Sequence, residues 1–250
     1  MTKANGSILY RGPSMLDGQP IVVVATGLAH KSHNPKTGDM VQTYIMPDRI
    51  RPLDASRTGQ DASVCGDCKH RPANLGTCYV TLVHGPNAVH RTLQHDGYRY
   101  ASWADLESFG ENRYVRLGTW GDPMAVPVAV WRALLAKSLG HTGYTHQWAN
   151  PTIDRAQHAG ICDLVMASVD TPAEARDARA AGYRYFRVRQ AGDTLLDNEI
   201  ICPASSEANY RRTCQTCNAC NGSVRSSRAS IAINVHGNGA KKFSLREVSA

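Results

Sequence analysis

The chain has 250 residues, of which 42% are hydrophobic and 20% are charged, and its formal net charge is +7. This length can bury one substantial core, arranged as a single α/β barrel or as two smaller domains. The first residues, MTKANGSILY, lack the apolar core of a secretory signal, and no stretch approaches the roughly 18 apolar residues of a membrane span. These features exclude the usual secreted and membrane classes, so we expect a cytoplasmic protein without a membrane partner.

Strand-like and helix-like segments alternate from residue 41 onward, which is the pattern of parallel βαβ units. The predicted strands cover residues 41–46, 114–119, 141–146, 163–169, 183–189, 200–202 and 231–235. The predicted helices cover residues 86–96, 127–138, 153–158 and 172–181. This order predicts an α/β fold, a full or partial (β/α) TIM-like barrel with a cysteine-rich C-terminal extension. An open doubly wound sheet is the alternative.

The same pattern divides the chain into three regions. Residues 1–40 are predicted to form an N-terminal extension, and residues 41–200 the barrel core with the first cysteine set. Residues 201–250 are predicted to form a C-terminal cysteine-rich region with a closing strand. No internal repeat or low-complexity tract interrupts this organisation.

Seven of the eight cysteines fall into two compact sets, and both sets contain a C-x-x-C step. The first set is Cys65, Cys68 and Cys78, and the second set is Cys202, Cys214, Cys217 and Cys220. This spacing lets two thiolates reach one metal centre, and it recurs in zinc and iron–sulfur sites. In the second set the C-x2-C-x2-C rhythm resembles ferredoxin loops more than zinc ribbons, so it favours an iron–sulfur cluster over zinc.

The first set has only three cysteines, which leaves two possibilities open. Either His70 completes a zinc site, or three thiolates leave one iron open to an exchangeable ligand. A disulfide framework would require a secreted chain, because cytosolic thiols stay reduced. The eighth cysteine, Cys162, stands in a predicted strand and is expected to be a small buried hydrophobe rather than a ligand.

The positive charge is spread along the chain, and its densest cluster flanks the second cysteine set. The residues of this cluster are Arg211, Arg212, Arg225 and Arg228. Such a patch is compatible with nucleic acid or with an anionic substrate. It also fits simple compensation, because a cluster bound by four thiolates carries negative charge.

In either predicted architecture, functional residues lie on the loops after the carboxyl ends of the strands. This rule selects a group of candidates: Gly121, Asp122, Pro123, Thr145, His146, Gln147, Ser168, Asp170, Arg187 and Arg189. Each also has an ordinary structural explanation, such as a turn at Asp122-Pro123, a helix cap at Asp170 or an internal ion pair for an arginine. Their convergence on one face, together with the first cysteine set, favours a functional site.

The order of these motifs resembles radical S-adenosylmethionine enzymes. A strand leads to the three-cysteine loop CGDC…CYV, and later strands lead to RLGTWGDP, GYTHQW and MASVD. A group of phage and plasmid iron–sulfur proteins is more closely similar, since it carries these blocks and the terminal CP…TCxxCxxC block. The resemblance covers roughly residues 30–237. The first set departs from the usual C-x3-C-x2-C spacing of the enzymes, because it is C-x2-C-x9-C.

The resemblance implies a [4Fe–4S] cluster on Cys65, Cys68 and Cys78, whose remaining iron holds the methionine part of S-adenosylmethionine. It also implies that the segment Gly121-Asp122-Pro123 contacts the amino group of this cofactor, with Asp122 as the acceptor. Three more residues are expected to bind the cofactor: Ser168, Asp170 and Arg187. The second cysteine set would correspond to an auxiliary [4Fe–4S] cluster.

Two functions follow from these observations. The first is a radical enzyme that cleaves S-adenosylmethionine, acts on an unknown substrate and takes its electron from a separate donor. In the second, both cysteine sets are structural metal staples, of iron–sulfur or zinc, in a nucleic-acid-binding protein. A barrel that keeps its clusters and has lost catalysis is a third possibility.

Overall fold

The computed structural model describes residues 4–31, 35–223, 229–237 and 239–247, with side chains described up to Phe243. The strands are β1 (Gly6–Pro13), β2 (Pro20–Thr26), β3 (Met40–Pro47), β4 (Arg99–Tyr100), β5 (Tyr114–Trp120), β6 (Gly140–Thr142), β7 (Tyr144–Thr145), β8 (Met166–Val169), β9 (Tyr185–Arg189), β10 (Glu199–Ile201) and β11 (Ser230–Asn234). The α-helices are α1 (Pro52–Thr58), α2 (Ala62–Cys65), α3 (Gly85–Gln94), α4 (Trp103–Gly110), α5 (Val128–Leu135), α6 (Arg155–Cys162), α7 (Pro172–Ala180), α8 (Cys214–Cys217) and α9 (Ala240–Glu247). Single 3₁₀ turns lie at Pro123–Ala125 and Ser206–Ala208.

The strands form two sheets, in the orders β4-β1-β2-β3-β5-β6 and β7-β8-β9-β11-β10. The strands β1, β2 and β3 pair antiparallel. The pairings β3-β5, β5-β6, β7-β8, β8-β9, β9-β11 and β11-β10 are all parallel. Only Gly143 separates β6 from β7. Its N–H donates to the carbonyl of Cys220 at 3.1 Å, and its carbonyl accepts from the Met166 N–H at 3.1 Å. The predicted α/β class is confirmed, and within the described residues neither sheet closes into a barrel.

The strands β1 and β2 lie inside the region that we predicted to be an N-terminal extension. The strand β2 pairs with β3 from Ile21 opposite Pro47 to Thr26 opposite Gln42. Its residues 21–25 are fully buried, because β3 on one side and the largest hydrophobic cluster around it exclude water from them. The predicted boundary at residue 40 therefore runs between neighbouring strands of one sheet.

Most of the elements predicted after residue 41 are present, with shifted ends. The predicted strand 163–169 begins only at Met166, because α6 continues to Cys162 instead of ending at residue 158. The Asp154 carboxylate caps this helix by accepting from Ala156 and Gln157 N–H groups, at 2.9 and 3.1 Å. No helix among the described residues is long and apolar enough to cross a membrane.

The turn after β5 brings the loop of the first cysteine set against the sheet. Gly121 has a φ of +82°, and a Cβ there would lie 2.6 Å from the carbonyl oxygen of Ile45 in β3. The next residue, Asp122, donates its N–H to the Val64 carbonyl at 2.6 Å, one residue before Cys65. Glycine is required here because both the positive φ and the close approach of β3 exclude a side chain.

We expect Gly121→Ala to destabilise the protein more than Gly59→Ala. Gly59 has a φ of +79° and open space around it, so its replacement costs only the left-handed backbone strain, about 1 kcal/mol. At Gly121 the contact with Ile45 adds about 1 to 3 kcal/mol. Urea unfolding followed by circular dichroism measures both losses, and equal losses would contradict the packing described for this turn.

Candidate functional site

The first cysteine set lies in the loop region between β3 and α3, and Arg71 is one of the residues that hold this loop in place. The Arg71 guanidinium donates to the Asp61 carboxylate at 2.6 and 3.0 Å. It also donates to the carbonyls of Gly59 and Gly66, each at 2.7 Å. Because a guanidinium presents its donors in a fixed fork, these bonds set the path of the chain around Cys65.

The GYTHQW block supplies a second anchor for the same loop. The Gln147 side chain is fully buried, and its amide donates to the Cys65 carbonyl at 3.1 Å and to the Asp67 carboxylate at 2.8 Å. Gly66 lies against this amide so closely that a Cβ at that position would overlap it. The first of the two residues between Cys65 and Cys68 therefore has to be glycine, and Gln147 positions the loop without lining the cavity.

The Asp122 carboxylate is buried and accepts hydrogen bonds from backbone groups of the protein itself. It is 5% exposed, and its two carboxylate oxygens accept from the Met124 N–H at 2.9 Å and from the His146 N–H at 2.7 Å. Burial raises the pKa of this carboxyl above its ordinary value, although the charge of His146 and these N–H groups act in the opposite direction. The carboxylate thus ties the turn after β5 to the segment after β7.

His70, the candidate fourth ligand of the first set, is engaged at both ring nitrogens. Its Nδ1 lies 2.6 Å from the Thr77 hydroxyl, and its Nε2 lies 2.9 Å from the Asp170 carboxylate. A ring nitrogen has to be free of a hydrogen bond to bind a metal ion. In this structure His70 therefore joins the cysteine loop to the segment after β8 instead of completing a metal site.

The Asp170 carboxylate contacts the two residues that follow Cys68. Its Oδ2 lies 2.7 Å from Lys69 Nζ and 2.9 Å from His70, and Lys69 also contacts Glu174 at 2.7 Å. Burial raises the pKa of Asp170, but the hydrogen bond to His70 and the charges of His70 and Lys69 outweigh it and hold the pKa below its ordinary value. The other oxygen, Oδ1, is buried and has no hydrogen-bond partner among the described residues.

The second cysteine set is held in place by hydrogen bonds that involve the backbone of its segment. The Arg184 guanidinium donates to the carbonyls of Ala219 and Gly222 at 3.0 Å each and to the carbonyl of Ala229 at 2.7 Å. On the other side, the Cys214 N–H donates to the Lys36 carbonyl at 2.9 Å. The cysteine-rich segment is therefore fastened both to β9, through the residue that precedes it, and to the chain before β3.

Both cysteine sets face one cavity of about 330 Å³ on the inner side of the parallel strands. Six cysteines line it: Cys68, Cys78, Cys202, Cys214, Cys217 and Cys220. Cys65 does not line it, but it interacts electrostatically with Cys68 and Cys78. The rest of the lining is largely apolar, and its apolar side chains come mainly from strands β9 and β11 and from the loop after Cys78. Two sets more than 120 residues apart in the chain thus meet in one space.

Burial favours the protonated form of several of these thiols. Burial raises the pKa of Cys68 to about 12 and that of Cys78 to about 11, and it raises the pKa of Cys65 well above its ordinary value. It raises the pKa of Cys220 in the second set as well, despite a hydrogen bond with the Tyr144 hydroxyl. Since metal binding requires thiolates, a cation in this cavity would displace the protons and release them.

The donors of both sets are soft thiols, which suit a zinc ion and an iron–sulfur cluster alike. All eight cysteines are free thiols, so no disulfide competes for them. Among the described residues, no three His, Cys, Asp or Glu side chains are grouped so that they could hold one metal ion. The thiolates of a [4Fe–4S] cluster each bind a different iron, so they stand further apart than the ligands of one zinc ion. Soft sulfur donors around a shared cavity suit such a cluster.

The remaining candidate residues take different positions. Ser168 and His146 line the cavity, whereas Gly121, Asp122, Pro123, Asp170 and Arg187 do not. The Arg187 guanidinium is 2% exposed and donates to both oxygens of Glu199, at 2.8 and 2.7 Å.

Other predicted groups lie away from the cavity. The remaining strand arginine, Arg189, pairs with Glu207, and Thr145 is buried. Cys162 is half-buried and donates to the Gly182 carbonyl at 3.6 Å. In the basic cluster, Arg211 and Arg212 are exposed, while Arg225 and Arg228 lie outside the described residues.

The sequence pattern did not identify Arg116, which lines the cavity from the middle of β5. It also missed Lys36 and Tyr144, which line the cavity near the second cysteine set. A signal for Arg116 was present, because it is a cation between the buried residues Val115 and Leu117 of a strand. The chain matches no protein-family model, no curated protein and no solved structure.

We expect Asp170→Asn to lower the free energy of unfolding at neutral pH by about 2 kcal/mol, because it removes the charge that Lys69 and His70 share. The folded pKa of Asp170 lies below its ordinary value of 3.8, so its contribution is complete above 3.8. The contribution is lost as the pH falls through the lower folded value. The difference between wild type and variant should therefore shrink in that range.

Urea unfolding at a series of pH values measures this difference. Glu107→Gln serves as the control, since it removes a carboxylate from an exposed pair with Lys137 at 3.4 Å and should change stability little. A difference between wild type and Asp170→Asn that stays constant below the ordinary pKa would contradict the assigned interaction.

Proposed function

We propose that this chain is an iron–sulfur enzyme of the radical S-adenosylmethionine type and that the cavity between its two cysteine sets is the reaction chamber. One observation carries the proposal: both sets face the same largely apolar cavity. Metal sites that only stabilise a fold do not need to face one common cavity. The volume of this cavity, about 330 Å³, lies at the lower end of the range of ligand pockets.

The order of the strands supports the finer fold that goes with this function, a partial (β/α) barrel. The parallel strands β3, β5 and β6 follow one another in chain order in one sheet, and β7, β8 and β9 do so in the other. The first cysteine set follows the first of these strands, and the Gly121-Asp122 turn follows the second. This is the order of motifs that the resemblance to radical enzymes leads one to expect.

In this proposal Cys65, Cys68 and Cys78 hold a [4Fe–4S] cluster, and one iron has no protein ligand. Support comes from His70, whose two ring nitrogens are occupied by Thr77 and Asp170. When bound, a reduced cluster of this kind supplies one electron that breaks a carbon–sulfur bond of S-adenosylmethionine, and the released carbon radical takes a hydrogen atom from the substrate. The electron comes from a separate donor protein or reductant.

The chain's own residues orient the site and exclude water. Ser168 offers a hydroxyl to the cavity and is the candidate for direct cofactor contact. Asp122 and Asp170 act as positioning residues, because their carboxylates are buried and bind the chain itself. Asp122 is thus not assigned as the acceptor of the cofactor's amino group, since its oxygens already accept from Met124 and His146.

The second set is proposed to hold an auxiliary [4Fe–4S] cluster on Cys202, Cys214, Cys217 and Cys220. Burial raises the pKa of Cys214, while the positive charges of Arg116 and Lys36 lower it. Lys36 acts in the same direction on Cys202. Cations at this place would offset the negative charge of four metal-bound thiolates.

We expect the anaerobically purified, iron-loaded protein to release free methionine from S-adenosylmethionine when dithionite is added. Cys68→Ala should abolish this release, because it removes a ligand of the first site. Cys162→Ala should behave like the wild type, because its thiol lies outside the cavity. Chromatography of the products measures the reaction.

The opposite result would favour the nucleic-acid-binding alternative. A wild type that contains zinc without acid-labile sulfide, or one that is loaded with iron yet neither binds nor cleaves S-adenosylmethionine, would contradict the proposed enzyme. Salt-dependent binding to nucleic acid by such a protein would then support two structural metal sites.

We further expect Cys217→Ala to remove about one cluster's share of iron and to lower the melting temperature, since losing a ligand loses the metal's contribution to folding. Cys162→Ala loses only packing and should melt within a few degrees of the wild type. Iron analysis and anaerobic thermal denaturation compare the two variants. Equal iron content and equal melting would contradict the assignment of Cys217 as a ligand.

A further inference from the structure

The cavity contains an arginine, Arg116, that forms no ion pair with a carboxylate of the described residues. Arg116 projects into it from β5, and its side chain is half-buried. Among the described residues, no carboxylate forms an ion pair with this guanidinium, whereas the other arginines of the inner strands, Arg187 and Arg189, each pair with a glutamate. Burying an unpaired charge is costly, so a cation held in a largely apolar cavity indicates that an anion binds there.

The neighbours of Arg116 locate that anion between the two cysteine sets. The groups whose charges act on Arg116 are Tyr79, Tyr144 and Cys214. Tyr79 directly follows Cys78 of the first set, and Cys214 belongs to the second set. Burial raises the pKa of Tyr144 well above its ordinary value, so its hydroxyl is uncharged and does not neutralise the guanidinium.

The second cysteine set alone does not account for Arg116. Lys36 acts on both Cys202 and Cys214, whereas Arg116 acts on Cys214. The Lys36 ammonium lies 3.2 Å from His236 Nε2 at the same side of the cavity. Arg116 interacts electrostatically with Cys214 and also with Tyr79, which lies on the side of the first set. Its position suits a ligand that lies across the space between the sets.

We propose that Arg116 binds the anionic group of the substrate, an organic carboxylate or phosphate ester whose remaining part is apolar or aromatic. The planar guanidinium matches both anions, and Phe186, Val188 and Val80 provide the apolar walls for the rest of the molecule. That the anion is a substrate rests on the proposed function, but binding of an anion at Arg116 is measurable without turnover.

Calorimetric titration of the anaerobic, iron-loaded protein tests the site with three probes: phenylacetate, phenyl phosphate and the neutral phenylacetamide. We expect the wild type to bind at least one of the two anions about tenfold or more tightly than the amide, because a charge-assisted hydrogen bond is lost with the charge. The stronger of the two anions identifies the class as carboxylate or phosphate ester. Equal binding of all three probes, or no binding, would overturn the proposal.

Variants separate Arg116 from a general effect of charge. Arg116→Gln should weaken the preferred anion about tenfold or more, and Arg116→Lys should retain part of its affinity. Arg132→Gln removes one positive charge from an exposed position outside the cavity and should bind like the wild type. Unchanged anion affinity in Arg116→Gln, with loss of iron from the second site, would show that Arg116 serves only the cysteines. If Arg116→Gln does not fold, the comparison of anion and amide in the wild type still decides the matter.

A final titration distinguishes this inference from the proposed function. With saturating S-adenosylmethionine, the anion should still bind, because the cofactor belongs at the first cysteine set and the anion beside Arg116. Loss of anion binding under these conditions would assign Arg116 to the cofactor's own carboxylate and overturn the substrate site. Anion binding by a protein that never cleaves S-adenosylmethionine would leave the Arg116 site standing and contradict only the enzyme.

Discussion

The structure depends on how the first cysteine loop is fixed to the ends of successive parallel strands. Asp122 ties the turn after β5 to the segment after β7, Gln147 from that segment holds the backbone at Cys65, and Asp170 after β8 binds the two residues that follow Cys68. These bonds are buried, so each lost partner would leave an unsatisfied polar group. The loop is therefore placed by contacts within the protein itself, and such preorganisation is what a functional site requires.

Electrostatics in the cavity complement this framework. Burial raises the pKa of the thiols, so the cysteines lose their protons only when a cation compensates the thiolates. Cations stand on one side of the cavity at Lys36 and Arg116, near the second set. The first set is bordered instead by buried carboxylates, Asp122 and Asp170, which raise the thiol pKa further. The Arg71 guanidinium also interacts with Cys65 and Cys68, so the two sets lie in different electrostatic environments.

Part of this arrangement was predictable and part was not. The α/β class, most strands after residue 41 and the helices with proline at their start follow from local periodicity and capping. The strands β1 and β2 were missed although residues 21–25, IVVVA, form a short apolar run, the signal of a buried strand. Arg187 was selected as a candidate because of its place on a strand, but side chains alternate along a strand. Its neighbours Phe186 and Val188 face the cavity, whereas Arg187 pairs with Glu199 on the other side.

The sequence by itself determined the donors: seven cysteines in two sets, at spacings that suit metal thiolates, on loops of an α/β chain. It left open whether His70 is a ligand, which face each strand residue occupies and whether the two sets have anything to do with each other. Only the tertiary structure decided these points, because they depend on contacts between residues far apart in the chain. The pairing of His70 with Asp170 spans 100 positions, and the shared cavity brings Cys78 and Cys214 to one space. The spacing of the cysteines indicates which atoms can bind a metal, whereas the packing of the strands determines which groups surround those atoms.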